Sequence, residues 1–310
     1  MKPTPLLSIC IPTYNRANRA ASCVKACLEL PYEDLEVVCL DNCSTDDTEQ
    51  KLAQIRDERF VYRRNSENIG YPNIVEVMRH ASGEYALLLS DEDRINPRFV
   101  ADALELLKTE KKAAIIWFAL TTDRRKRDKR YKSASVDGLQ FILCNTYMSG
   151  ICIRTKNVSE LYDRIPKSGS FYKMYPHTLL MSAIYDSGAE MLVCGTVKRM
   201  TIREGKVNKR DKRAVQVFRQ KGNAYNVLGR FELADAGITE IPQAIGHDSD
   251  QIRKTVVYSI FTFPVRCLFT KRPVGKEIVP YAAEHIRYWY YGSKLRFRLI
   301  QRKLLRGENK

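Results

Sequence analysis

No Cys-x-x-Cys pair occurs in this sequence, although nine cysteines are present. An odd number without that spacing supports neither a disulfide framework nor a zinc ribbon. Most of the cysteines lie within apolar runs, where the thiol behaves as a small hydrophobe, and a reducing compartment is expected. A run of about 18 uninterrupted apolar residues is also missing, which argues against a spanning helix. The opening residues, MKPTPLLSIC, show no long apolar stretch ahead of a small-residue cleavage site, so no signal peptide is read there. Internal repeats and low-complexity tracts are absent. The expectation is a cytoplasmic protein, or one peripheral on the inner face of the cell membrane.

What is present is a globular composition with an excess of positive charge. The chain has 310 residues, 44% of them hydrophobic and 28% charged, and a formal net charge of +16. That length suits one large domain, or one domain with an appendage. The charge points to an anionic partner: nucleic acid, anionic lipid or a phosphorylated ligand.

Short apolar runs alternate with helix-like segments over the first 120 residues. Strands are expected at Leu6–Tyr14, Leu35–Leu40, Phe60–Arg63, Tyr85–Leu89 and Ala113–Leu120, with helices at Arg16–Leu30, from Ser44-Thr45-Asp46 to about Arg56, at Pro72–Ala81 and at Pro97–Lys108. Continuous apolar strands separated by helices predict an α/β fold with a mostly parallel sheet. Thr121–Lys132, with seven basic and two acidic residues, reads as an exposed loop or hairpin. Further strands are expected around Tyr147–Arg154 and Glu190–Val197, flanking a helix near Pro176–Ser187. We expect a catalytic domain over residues 1–245 and a basic amphipathic region over 246–310. Residues 251–310 carry 14 Lys and Arg against 3 Asp and Glu.

The strongest chemical signal is Ser90-Asp91-Glu92-Asp93, directly after the strand YALLL. Carboxylates just past a strand's C-terminal end sit where open α/β sheets bind ligands, and hard oxygen ligands suit Mg²⁺ or Mn²⁺ bridging a diphosphate. On its own this is equally an acidic turn ahead of the helix at Asn96-Pro97. Three more strand exits are polar, however. The first ends in Pro12-Thr13-Tyr14-Asn15-Arg16 and the second in Asp41-Asn42-Cys43-Ser44-Thr45-Asp46. The third is followed by Asn68-Ile69-Gly70 and Asn73, with Gly70 free to take a positive φ beside a ligand. Each alone is turn chemistry; four in a row point to a site.

SICIPTYNR, VVCLDNCSTDDT, NIGYPN and ASGEYALLLSDED closely resemble the family 2 glycosyltransferases of the GT-A fold, specifically over residues 6–100. Over 140–205 the resemblance is weaker, with MSGICIRTKNV similar to that family's acceptor-side strand. It implies a nucleotide-sugar donor, with UDP favoured over dTDP, a Mn²⁺ or Mg²⁺ ion, and inversion at the anomeric carbon. Carried over by position, Pro12, Thr13, Tyr14 and Arg16 line the nucleotide pocket with Asn68, Gly70 and Asn73. Asp41 holds base or ribose, Asp91 faces the ribose side and supports the metal, and Asp93 is the principal metal ligand.

The sequence departs from the family where the catalytic base is expected. No acidic pair opens the helix about 80 residues on; Tyr175-Pro176-His177-Thr178 stands there instead. His177 is the candidate base, its ordinary pKa near 6.5 suiting proton transfer, with a merely solvated or hydrogen-bonded helix-start histidine as the plain alternative, metal ligation as a lesser one, and Asp163 and Asp186 as substitutes. Arg203 is a candidate diphosphate contact or a surface ion pair. The tail (VVYSIFTFPVRCLF, YWYY, KLRFRLIQRKLLR) has the make-up of a segment lying on an anionic membrane surface, or of a packed helix pair with a basic face. Membrane contact would accord with a lipid-linked oligosaccharide acceptor in surface-polysaccharide synthesis. Nucleic-acid binding lacks any recognisable motif. A sugar nucleotidyltransferase lacks its glycine-rich loop, since PTYNRANRAA holds no glycine.

Overall fold

The computed structural model describes residues 3–118, 128–197, 200–201, 227–249, 251–256 and 259. Its centre is an eight-stranded sheet in the order β3-β2-β1-β4-β7-β5-β8-β6. The strands are β1 (Leu7–Thr13), β2 (Leu35–Asp41), β3 (Phe60–Arg64), β4 (Tyr85–Leu88), β5 (Ala113–Phe118), β6 (Lys129–Tyr131), β7 (Ile151–Arg154) and β8 (Glu190–Cys194). β3, β2, β1 and β4 run parallel, as do β5 and β8. β7 runs antiparallel between β4 and β5, and β6 antiparallel on the outer edge of β8.

The strand side chains divide by parity, as a two-residue period requires. Leu7, Ile9 and Ile11 of β1, with Leu35, Val37 and Cys39 of β2, join one buried cluster with α1 (Ala17–Leu28) and α4 (Pro97–Thr109). Cys10, Val38 and Leu40 face the opposite cluster. That side holds α3 (Asn73–Arg79), α5 (Val136–Cys144), α6 (Thr155–Leu161), α7 (Ser170–Met174) and α8 (Pro176–Asp186). Every residue of α8 from Pro176 to Tyr185 is buried, because α8 packs between the sheet side and α9 (Val227–Ile245). A helix that is covered all round reads as a core helix, not as an amphipathic surface one. The short α2 (Thr48–Ala53) adds Leu52 to the first cluster.

Several expectations change. The basic stretch 121–132, expected as an exposed loop or hairpin, ends in the strand Lys129–Tyr131, which pairs with β8, and its Tyr131 is buried. Residues 119–127 lie outside the described residues. α5, α6, α7 and α9 were not expected from the sequence. The buried cluster also takes in residues just past 245. Gly246, at φ +79°, closes α9, yet Ile252 and Val256 pack in the same cluster as α8. The rest of the basic tail, apart from Ser259, lies outside the described residues.

Glu110 locks the sheet's far side. It follows α4, accepts the amides of Lys112 and Ala113 at 2.8 Å each, and accepts from Arg130 of β6 at 2.6 Å. Burial pushes its carboxyl up, but Arg130 and the two amides outweigh burial and hold it at about 2. A carboxyl held low contributes stability that is complete above its ordinary pKa near 4.3 and is lost as the pH falls towards 2. Glu110→Gln is expected to cost about 2 kcal/mol at pH 7, the scale of a lost charged hydrogen bond. It should also flatten the loss of stability between pH 4.5 and 2, read from urea unfolding of both proteins.

Candidate active site

The C-terminal ends of β1, β2 and β4 open on a cavity of about 450 Å³. Three buried or half-buried groups knit its floor. Asp91, just past β4, is 6% exposed; its Oδ2 accepts Thr13 Oγ1 at 2.7 Å and its Oδ1 accepts Arg16 Nη1 at 2.9 Å. Burial raises the Asp91 carboxyl, while the Thr13 hydroxyl and the Arg16 charge oppose it. Arg16 also reaches Glu92 at 2.8 Å, and Arg19 reaches the same carboxylate at 2.9 Å.

A chain of asparagines forms the next wall. Asn42 donates to Asn68 Oδ1 at 2.7 Å and to the Gly70 carbonyl at 3.1 Å, and its own Oδ1 accepts Asn65 Nδ2 and the Ile69 amide at 3.0 Å each. Asn73 receives Asn65 Nδ2 at 2.9 Å and donates to the Leu40 carbonyl at 3.1 Å. Gly70 does take a positive φ, +70°. Tyr14, Tyr71 and Tyr147 are the exposed large apolar side chains among the described residues, and all three line this one cavity. An aromatic rim over polar walls and a charged floor suits a ligand with flat or sugar rings and an anionic centre.

Of the residues expected from the sequence, Pro12, Thr13, Tyr14, Arg16, Asn68, Gly70, Asn73, Asp91 and His177 line the cavity. Asp41 does not. It is fully buried beneath the wall, accepting from the Ser44 amide at 3.0 Å, from Tyr62 Oη at 3.1 Å and from the Ser44 hydroxyl. Its neighbour Asn42 faces the cavity instead. Asp93 stands just behind the lining, where its Oδ2 accepts Ser149 Oγ at 2.7 Å and Tyr147 Oη at 3.0 Å. Tyr147, Ser149, Thr146 and Tyr175 were missed as site residues. Ser149 alone lies within the acceptor-side segment MSGICIRTKNV, and Tyr175 within the quoted Tyr175-Pro176-His177-Thr178.

The candidate bases differ in their surroundings. His177 is 2% exposed, its Nε2 lies 2.9 Å from the Thr146 carbonyl, and its Nδ1 is buried with no hydrogen-bond partner. A carbonyl only accepts, so Nε2 carries the proton and neither nitrogen is offered to a substrate. Asp163 is an exposed residue paired with Lys167, and Asp186 lies at the far end of α8 beside His247. Neither lines the cavity. The carboxylates that do are Asp91 and Glu92. Arg203 lies outside the described residues, although Thr201 just before it bridges to Ile95.

Metal ligation has limited material here. Among the described residues no three His, Cys, Asp or Glu side chains cluster around one point. The donor set nevertheless fits a hard ion of the Mg²⁺ or Mn²⁺ type, which takes one or two carboxylates and completes its shell with water and substrate phosphate. Asp91 has both oxygens engaged, whereas Asp93 Oδ1 carries no bond among the described residues.

An open α/β sheet with a cavity outside the carboxyl ends of its strands defines the class of α/β fold whose ligands bind at the strand exits. The chain matches the family model described as glycosyl transferase family 2 over residues 8–177, more than half its length, and it belongs to that family. It is similar to abequosyltransferase RfbV of Salmonella typhimurium, 33% identical over 110 residues, or 34% of this chain and 32% of that one. It is also similar to the Escherichia coli UDP-Glc:alpha-D-GlcNAc-diphosphoundecaprenol beta-1,3-glucosyltransferase WfaP, 27% identical over 107 residues, 34% of this chain and 43% of that one. The chain spans less than half the length of these relatives. Among solved structures, Staphylococcus aureus TarS 1–349 superposes with a TM-score of 0.57 at 19% identity, covering 92% of this chain and 78% of that one. The shared fold is GT-A.

Burial pulls the His177 imidazole down to about 4, with the Thr146 carbonyl pulling the other way. The unfolded chain therefore takes up a proton that the folded one refuses. The resulting stability is complete above about pH 6.5 and is lost as the pH falls towards 4. Imidazole ¹H–¹⁵N spectra should show His177 as the neutral Nε2–H form, unchanged from pH 8 to 5.5. A His177 resonance that titrates near 6.5 would contradict this geometry.

Proposed function

We propose that this chain is a metal-dependent, inverting glycosyltransferase that moves a sugar from a nucleoside diphosphate, with UDP favoured, to a lipid-linked glycan acceptor. The observation that carries the reading is the cavity at the β1, β2 and β4 exits, floored by Thr13, Arg16 and Asp91. Family membership supports transfer over a nucleic-acid binder or a sugar nucleotidyltransferase. A nucleotide-sugar donor is supported by TarS, whose structure is also known with UDP-GlcNAc, at a TM-score of 0.53. A lipid-linked acceptor is supported by the name of the WfaP relative, a diphosphoundecaprenol-directed enzyme. The site would then lie on the cytoplasmic side of a membrane, where the basic segment 246–310 would meet anionic lipid.

In this reading Asn42, Asn68 and Asn73 form the rigid wall against which a base or ribose packs, with Tyr14 and Tyr71 across from it. Arg16 holds negative charge over the floor, and Asp91 keeps Arg16 in place. Asp93, with Oδ1 available, is the residue that would hold the divalent ion. That ion, when bound, supplies Lewis-acid neutralisation of charge growing on the departing diphosphate. The chain's own residues do the remainder by positioning the two substrates for a single displacement. His177 has no part in proton transfer here.

Calorimetry of UDP, dTDP and GDP with and without Mn²⁺ tests the reading. One diphosphate should bind with Mn²⁺ and lose that dependence in Asp93→Ala, whose turnover should fall by at least about 100-fold, beyond the usual effect of outer-shell partners. Unchanged metal dependence in Asp93→Ala would remove the assignment.

A further inference from the structure

The antiparallel strand β7 begins where the parallel strand β4 ends, so the segment leading into it, Thr146–Ser149, is delivered to the β4 exit. Gly150 donates to the Leu88 carbonyl at 3.1 Å, and Ser90 donates its amide to Ser149 Oγ at 2.8 Å. A serine hydroxyl has one proton. With the Ser90 amide occupying an Oγ lone pair, that proton is directed to Asp93 Oδ2, 2.7 Å away. Tyr147 delivers a second hydroxyl to the same oxygen at 3.0 Å. Both bonds fall on Oδ2 and none on Oδ1, so the carboxylate is fixed in rotation with one oxygen left over. The segment itself is tied to the core by His177, whose Nε2–H meets the Thr146 carbonyl from the first turn of the fully buried helix α8.

We propose that Thr146–Ser149 is a positioning device for the cation. Ser149 and Tyr147 hold Asp93 by Oδ2 so that Oδ1 is presented to a divalent ion, and His177 anchors the segment through Thr146. This inference rests on the metal-dependent reading above. It gives His177, Tyr147 and Ser149 positioning roles, acting on the ion through Asp93 or through the backbone.

The test is a titration of the full chain with Mn²⁺ alone, following free Mn²⁺ by electron paramagnetic resonance. Ser149→Ala should raise the Mn²⁺ Kd by about 10-fold or more, and Tyr147→Phe by several-fold, the range that outer partners of a metal ligand usually contribute. Tyr147 is 48% exposed and keeps its ring in Tyr147→Phe, so thermal unfolding of that variant should match wild type. His177→Gln, which keeps an N–H donor for Thr146, should bind Mn²⁺ more tightly than His177→Leu; equal Kd values would remove the anchoring role. If Asp93→Ala abolishes binding while Ser149→Ala and Tyr147→Phe stay within about twofold of wild type, the positioning device is wrong and the metal reading stands. If wild type itself retains no Mn²⁺, the metal reading falls and this inference with it.

Discussion

Two neighbouring strand exits, those of β4 and β1, are held to one another by a single buried carboxylate. Asp91 leaves β4 and takes a hydroxyl from the end of β1 and a guanidinium from the residue that caps α1. A carboxylate this deep is costly to bury unless it is paired and hydrogen-bonded, and both oxygens are. The consequence is mutual. Asp91 remains in place because Thr13 and Arg16 satisfy it, and Arg16 faces the cavity because Asp91 holds it there. The β2 exit joins through a different tie: Asn15, at φ +51°, donates its backbone amide to Ser44 Oγ, and its side-chain Oδ1 accepts the Thr45 amide. Asparagine accepts that left-handed backbone more readily than most residues.

Topology explains why the site has a second half. A wholly parallel sheet would place only strand ends and helix starts along this edge. Here β7 reverses direction between β4 and β5, so a strand beginning, with its incoming loop, is inserted among strand endings. That loop supplies hydroxyls next to Asp93, and its backbone is tied to α8, a helix buried from Pro176 to Tyr185. The β4 exit thus touches both the Thr13–Arg16 side of the cavity, through Asp91, and the 146–149 side, through Asp93, with one residue between them. Geometry at one carboxylate is transmitted to the other over a very short span.

The first half of this arrangement was legible in the sequence and the second half was not. Runs such as LSICIPT and LEVVCLD are apolar on both faces, which marks buried parallel strands, and each ends in polar residues that name the exits. Asp41 shows the limit of that reasoning. An exit residue's number says that it is near the site but not whether it faces the cavity, and parity turned Asp41 inward and Asn42 outward. The α5–α7 region resisted reading because its short helices carry buried faces on more than one side, leaving no clean period. His177 was found, and of the readings open to it the structure shows the hydrogen-bonded one. A histidine at a helix start reads as solvated, and only tertiary packing of α8 reveals that its ring is sealed. Ser149 and Tyr147 acquire meaning only from the antiparallel register of β7, which no local pattern in MSGICIRTKNV encodes.

The charges at the cavity mouth are arranged so that none stands bare. Arg16 spans Asp91 and Glu92, and Arg19 shares Glu92. Such pairs at half-exposed positions contribute little to stability. Their effect lies in placement: each guanidinium is already oriented before a ligand arrives, so less side-chain freedom is lost on binding. An anion entering this site exchanges into an existing network, displacing Glu92 more easily than Asp91, because Glu92 is exposed and Asp91 is also held by Thr13. The floor is therefore the fixed part of the site and the mouth the adjustable part. Such a division suits a site that must hold one ligand firmly while a second, larger one comes and goes.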